Sequence, residues 1–133
     1  MNGSETVESY LIRLEVPHEQ INAHTWVVEV DNQRSSQIAL HIREPILEFS
    51  SPVLDVSGYI DDREGLFQRL LELNAELMHS SYGLSEGRVV LSGAQELQNL
   101  DLNEFQAVLD DMTMALDTHL ATLSAWGVGQ VKA

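Results

Sequence analysis

The spacing of apolar residues switches from a period of 3.6 to a period of two at Trp26 and back again at Asp61, and this restricts the fold more than any other feature of the chain. Trp26, Val28 and Val30 alternate with Val27, Glu29 and Asp31, and Ile38, Leu40 and Ile42 repeat the alternation. Successive side chains of a strand point to opposite faces, so each run has one side for a core and one for water. The polar stretch Asn32-Gln33-Arg34-Ser35 between the runs is the turn, and residues 26–43 read as a β-hairpin. A third strand begins near Ile46 and runs through Leu47 and Phe49 towards Val53. Pro52 has no N–H for a ladder, which places it at an edge, a bulge or the strand's end.

Helical spacing flanks this sheet signal. Val7, Tyr10, Leu11 and Leu14 fall at i, i+3, i+4 and i+7 within residues 4–15, with Ser4 where an N-cap would stand and Pro17 as the stop. Asp61 with Glu64 resembles a capping box, opening a second helix through Leu66, Phe67, Leu70, Leu71, Leu73, Leu77 and Met78. A second hairpin follows, from His79 to Leu84 and from Arg88 to Ala94, around Ser85-Glu86-Gly87. Asp101 with Glu104 caps a third helix, in which Phe105, Val108, Leu109, Met112, Leu116, Leu120 and Leu123 form one stripe. Gly127 and Gly129 end it and leave a flexible tail. The order is α-βββ-α-ββ-α, an α+β fold with a single, mainly antiparallel five-stranded sheet and three helices. At 133 residues, the expectation is one domain over 1–133.

Charge excludes several classes of function. The chain has 21 acidic and 7 basic residues, a formal net charge of -14 and no cysteine. Phosphate backbones are held by Lys and Arg that displace counterions, so direct binding to nucleic acid or to an anionic membrane is not expected. No apolar run reaches the roughly 20 residues that span a bilayer, and the expectation is a cytoplasmic protein. Disulfides and zinc thiolates are impossible without cysteine.

Candidate chemistry is sparse. His18, His24, His41, His79 and His119 hold no i, i+4 pair and no HExxH, so no metal site is expected; His119 lies within the apolar stripe of the third helix and reads as a hydrogen-bonded core histidine. There is no G-x-S-x-G elbow and no glycine-rich phosphate loop. Asp61-Asp62 and Asp110-Asp111 are adjacent pairs that diverge by about 100° on a helix; they read as a helix N-terminus and a solvated face. No catalytic residue and no cofactor is assigned, and the expectation is that the chain is not an enzyme. A ligand pocket between sheet and helices would be lined by Trp26, His24 and His41.

The second helix is the most informative element. Its apolar arc spans about 160°, against the ~100° that covers one side of a core. Either the arc is sandwiched within one subunit, or it gives one flank to the sheet and the other to a partner copy. Asn74 lies near its middle and has the same two readings: its amide bonds the backbone of a neighbouring loop or strand, or it fixes register at a subunit interface. Phe67, Leu70, Leu73, Asn74, Leu77 and Met78 are the candidate dimer or partner interface.

The segment Leu70-Leu71-Glu72-Leu73-Asn74-Ala75-Glu76-Leu77, the strand ending in Tyr82-Gly83-Leu84, the run Gly87-Arg88-Val89-Val90-Leu91 and the acid-capped last helix together resemble the YbjN-like bacterial proteins. These are similar in fold to the class I type III secretion chaperones. The resemblance implies a small cytoplasmic homodimer that binds another polypeptide through apolar patches and catalyses no reaction. The acidic surface implies that this second protein has a basic surface. The alternative is an acidic decoy that imitates DNA and occupies a nucleic-acid-binding protein. Salt separates the two, because ionic decoy binding collapses at moderate ionic strength and apolar capture does not.

Overall fold

The computed structural model describes residues 2–31 and 36–126. The expected turn at Asn32-Gln33-Arg34-Ser35 and the expected tail from about residue 127 lie outside the described residues. The elements are α1 (Gly3–Arg13), β1 (His18–Asn22), β2 (Thr25–Glu29), β3 (Gln37–Arg43), β4 (Ile46–Asp55), α2 (Arg63–Asn74), β5 (Ser81–Ser85), β6 (Arg88–Glu96) and α3 (Leu102–Leu123), which ends in a 3-10 turn over Ser124–Trp126. The sheet is antiparallel with order β1-β2-β3-β4-β6-β5. It has six strands, one more than the alternation predicts.

The additional strand is β1. Its sequence, His-Glu-Gln-Ile-Asn, has one apolar residue, and all but His18 are exposed. An edge strand wet on both faces carries no period-two signal for sequence to reveal. Helices α1 and α3 begin and end close to expectation, and the cap of α1 differs. Asn2, not Ser4, caps α1 by accepting from Glu5 N–H at 2.8 Å, while the Ser4 hydroxyl donates to the Ala23 carbonyl at 3.0 Å. Asp101 caps α3 as expected, accepting from Glu104 N–H at 2.7 Å.

One sheet face carries the core. Register sets Trp26 opposite Leu40, Leu40 opposite Phe49 and Ile42 opposite Leu47, all buried. Phe105 of α3 meets Phe49 at 5.7 Å between ring centroids and Tyr10 of α1 at 5.5 Å, so both helices pack on that face. Each fully buried Leu or Phe contributes on the order of 1.5–3 kcal/mol, which makes the α3 stripe a principal support of the sheet. The opposite face holds half-buried Val27, Ala39, Ser50 and Val90. Pro52 lies at a bulge between Pro52 and Leu54, one of the positions expected for it. The β5–β6 hairpin turns at Glu86 and Gly87, with φ of 50° and 77°. Two positive φ values in a two-residue turn match the twist of the strands, and glycine adopts the second without strain. No helix among the described residues is long and apolar enough to cross a membrane.

Candidate protein-binding face around the second helix

The start of α2 is set by Asp62, which adopts φ of 57° and accepts from Gly65 N–H at 3.1 Å. A Cβ at Gly65 would run into this carboxylate, so the glycine makes the cap possible. The sequence puts the capping carboxylate one residue earlier, at Asp61.

Along α2 the wide apolar arc divides into two flanks. Leu66, Leu70 and Leu73, at i, i+4 and i+7, are buried in the core of the single chain. Phe67 is half-buried, and the Arg63 guanidinium lies 5.3 Å from its ring centroid while also donating to the Val56 carbonyl at 2.5 Å. Leu71 is 70% exposed. Arg63, Glu64, Phe67, Gln68 and Leu71 line a shallow depression on this outward flank. Leu70 and Leu73 are thus closed to any partner by the chain's own core. Leu71, outside the six candidate interface residues, is the open apolar position; in helical projection it forms the arc's far edge, the signal that could have found it.

The helix stops at Asn74, before Leu77 and Met78, which the periodicity includes in it. Both lie in the following loop, Leu77 half-buried against the core and Met78 82% exposed. Asp111 of α3 holds this loop, accepting from the Ser80 hydroxyl at 2.7 Å and from His79 N–H at 3.0 Å. Asp111 is half-buried, not part of a solvated face as its neighbour Asp110 is. Asn74 bonds within its own chain: Oδ1 accepts from Tyr82 N–H at 2.7 Å and Nδ2 donates to the Tyr82 carbonyl at 3.2 Å.

Beneath the face, the Tyr82 hydroxyl lies 2.9 Å from Nδ1 of buried His119. Burial pushes the Tyr82 phenol up, so it stays protonated. Burial pushes His119 down, opposed in part by the carboxylates of Glu76 and Asp111. A neutral imidazole accepting from the phenol at Nδ1 satisfies both groups, in line with a core histidine.

The residues suggested for a ligand pocket do not converge. Trp26 is fully buried, with its indole N–H on Glu8 Oε2 at 2.7 Å. His24 and His41 are exposed, and His41 lies on the other sheet face, its Nδ1 2.8 Å from the Thr25 hydroxyl. Among the described residues, no group of three His, Cys, Asp or Glu side chains could hold a metal ion.

The decisive comparison is with a family model, CesT_Tir_1, which matches residues 1–128. The chain belongs to the CesT_Tir_1 family of type III secretion chaperones. Solved structures with this family's fold agree. YbjN from E. coli is 12% identical, with a TM-score of 0.68 over 99% of this chain and 97% of that one. The chain in the ExsC-ExsE complex is 19% identical, with a TM-score of 0.64 over 90% and 92%. The Yersinia pestis type III secretion chaperone SycH, solved with a stable fragment of YscM2, is 16% identical, with a TM-score of 0.59 over 92% and 100%. At these identities the structures establish the fold. No curated protein matches by sequence.

Proposed function

We propose that this chain is a non-enzymatic, chaperone-like interaction module that pairs with a second copy of itself and holds another polypeptide in the cytoplasm. The observation that carries this reading is the outward flank of α2, where Phe67 is half-buried and Leu71 is 70% exposed on a helix whose other flank is already in the core. An amphipathic helix that serves only its own core keeps this flank polar. Of the candidate interface residues, half-buried Phe67 and Leu77 and exposed Met78 have surface to give, and Leu71 joins them. Leu70 and Leu73 support the face from inside, while Asn74 anchors the end of the helix.

Solved structures of the same fold support a polypeptide as the class of partner. The ExsC-ExsE complex and SycH with its YscM2 fragment are assemblies with another protein. A formal charge of -14 favours a client with a basic surface and speeds its encounter. The edge of the sheet offers a place for an extended segment: the β1–β2 register, with Glu29 N–H donating to the Pro17 carbonyl at 3.1 Å, turns the backbone of His18 and Gln20 away from β2.

Light scattering on the eluting protein tests the pairing. The expected mass is twice 14.9 kDa for the native chain, and one chain's mass for a folded Leu71→Asp variant. A native protein that elutes as a single chain at micromolar concentration sinks the proposed pair. Capture from lysate at low and high salt tests the client, since apolar capture predicts a specific polypeptide that stays bound at high salt.

A further inference from the structure

His18 is the first residue of the edge strand, and both of its ring nitrogens meet acceptors. Nδ1 lies 2.7 Å from the Val16 carbonyl oxygen and Nε2 lies 3.1 Å from Oε1 of Glu8. A neutral imidazole has one N–H and one lone pair, so it can satisfy one of these acceptors and must turn a lone pair on the other. Imidazolium has two N–H groups and satisfies both. Glu8 is fixed in turn, because its second oxygen accepts from the indole N–H of fully buried Trp26 at 2.7 Å. The charged group that faces the imidazole from α1 is Glu8; β2 places Val28 opposite it, and the connector before β1 places the Val16 carbonyl against it.

We infer that His18, Glu8 and Trp26 form a proton-operated latch that ties the start of β1 to α1, closed while His18 is imidazolium and open once its proton is lost. The connector itself stays on α1 through the Val16 N–H bond to the Leu11 carbonyl at 3.1 Å. Apart from the ladder to β2 and the Ser4 hydroxyl on the Ala23 carbonyl, the His18–Glu8 bond is the side-chain tie between β1 and α1 among the described residues. Every β1 residue after His18 is exposed, and a bulge between Gln20 and Asn22 interrupts the ladder to β2. The His18 side chain is 16% exposed and that of Glu8 38%, so the pair is shielded on one side and screened by water on the other.

The direction of the pH response follows from the partners. The hydrogen bond to the Val16 carbonyl, joined by the bond and charge of Glu8, raises His18 above its ordinary 6.5 against desolvation. A raised histidine contributes fully below 6.5, and its contribution is lost as the pH climbs through the raised value. The bond from His18 holds the Glu8 carboxyl below its ordinary range, so Glu8 remains anionic throughout that climb. The latch therefore opens on the alkaline side of 6.5, whatever the chain binds.

Nitrogen-15 NMR of the histidine rings, with amide exchange on the same sample, tests the latch in the full chain. The expected spectrum shows both His18 nitrogens protonated near pH 6 and a titration midpoint above 6.5, which Glu8→Gln lowers. Exchange of the Glu19 and Val27 amides, taken relative to those of α3, should accelerate about tenfold between about pH 6 and pH 8.5. In His18→Gln that ratio should no longer change with pH. A His18 midpoint at or below 6.5, or a native ratio that stays constant, overturns the inference.

Discussion

The side-chain amide of Asn74 pairs with the backbone of Tyr82 as a neighbouring strand would, accepting from its N–H at 2.7 Å and donating to its carbonyl at 3.2 Å. A residue at the end of α2 thereby occupies the outer edge of β5. Asn74→Ala leaves both backbone groups without this partner, and the expected cost is about 2 kcal/mol. Urea denaturation measures it. A loss below about 0.5 kcal/mol, the range of an ordinary surface substitution, would show that the pair does not hold the edge.

Acid should weaken the protein through His119. Burial lowers its pKa, so as the pH falls through 6.5 the unfolded chain takes up the proton first. Stability then declines until the lowered folded value is reached. The expected result is a lower urea midpoint near pH 5.5 than near pH 7, and a smaller difference in His119→Gln. An equal difference in both proteins would assign the acid sensitivity elsewhere. His18 works in the opposite direction, on the alkaline side of 6.5.

Gly93 of β6 lies against the loop that leads from α2 into β5. A Cβ there would stand 2.9 Å from the His79 carbonyl oxygen and 3.1 Å from Val108 Cγ1. The loop held by Asp111 would have to shift, and the Val108 side chain would have to give by a few tenths of an ångström. Gly93→Ala is expected to cost about 1–3 kcal/mol as an overpacked site, and thermal unfolding checks it. An unchanged melting temperature would mean that the loop is slack at this contact.

Two nearby leucines on α2 should respond very differently to the same change. Leu73 is 2% exposed, and Leu73→Asp buries a charge in the core, for an expected loss of about 4 kcal/mol or more. Leu71 is 70% exposed, and Leu71→Asp should leave the monomer within about 0.5 kcal/mol of native stability. Circular dichroism with urea titration at low concentration reads both. A strongly destabilised Leu71→Asp monomer would show that this side chain packs within its own chain, removing the open flank.

The most legible parts of the fold are those whose chemistry is local. The alternation from Trp26 to Ile42 delivers β2 and β3, and the Asp101 cap delivers the start of α3, because each depends on residues a few positions apart. What remained hidden depends on distant partners or on water. The strand His18–Asn22 lacks an apolar face because it buries none. The end of α2 has no glycine to mark it, and the loop that follows is held by Asp111, 32 residues beyond His79. Periodicity consequently runs on through Leu77 and Met78, which the backbone has already left the helix to place. At the candidate face, the width of the arc was readable. Which flank met the core was not, because that depends on the side from which β5 and β6 approach.

The two edges of the sheet are unequal, and this bears on polymerisation. If β1 of one copy could add to β5 of the next, the contact would be head-to-tail and could repeat without closing, the geometry that produces fibres. The Asn74 amide already occupies the Tyr82 groups that such a neighbour would need. On the proposed reading, a strand added at β1 would meet a β5 edge already occupied at Tyr82 in the next copy, which disfavours indefinite growth.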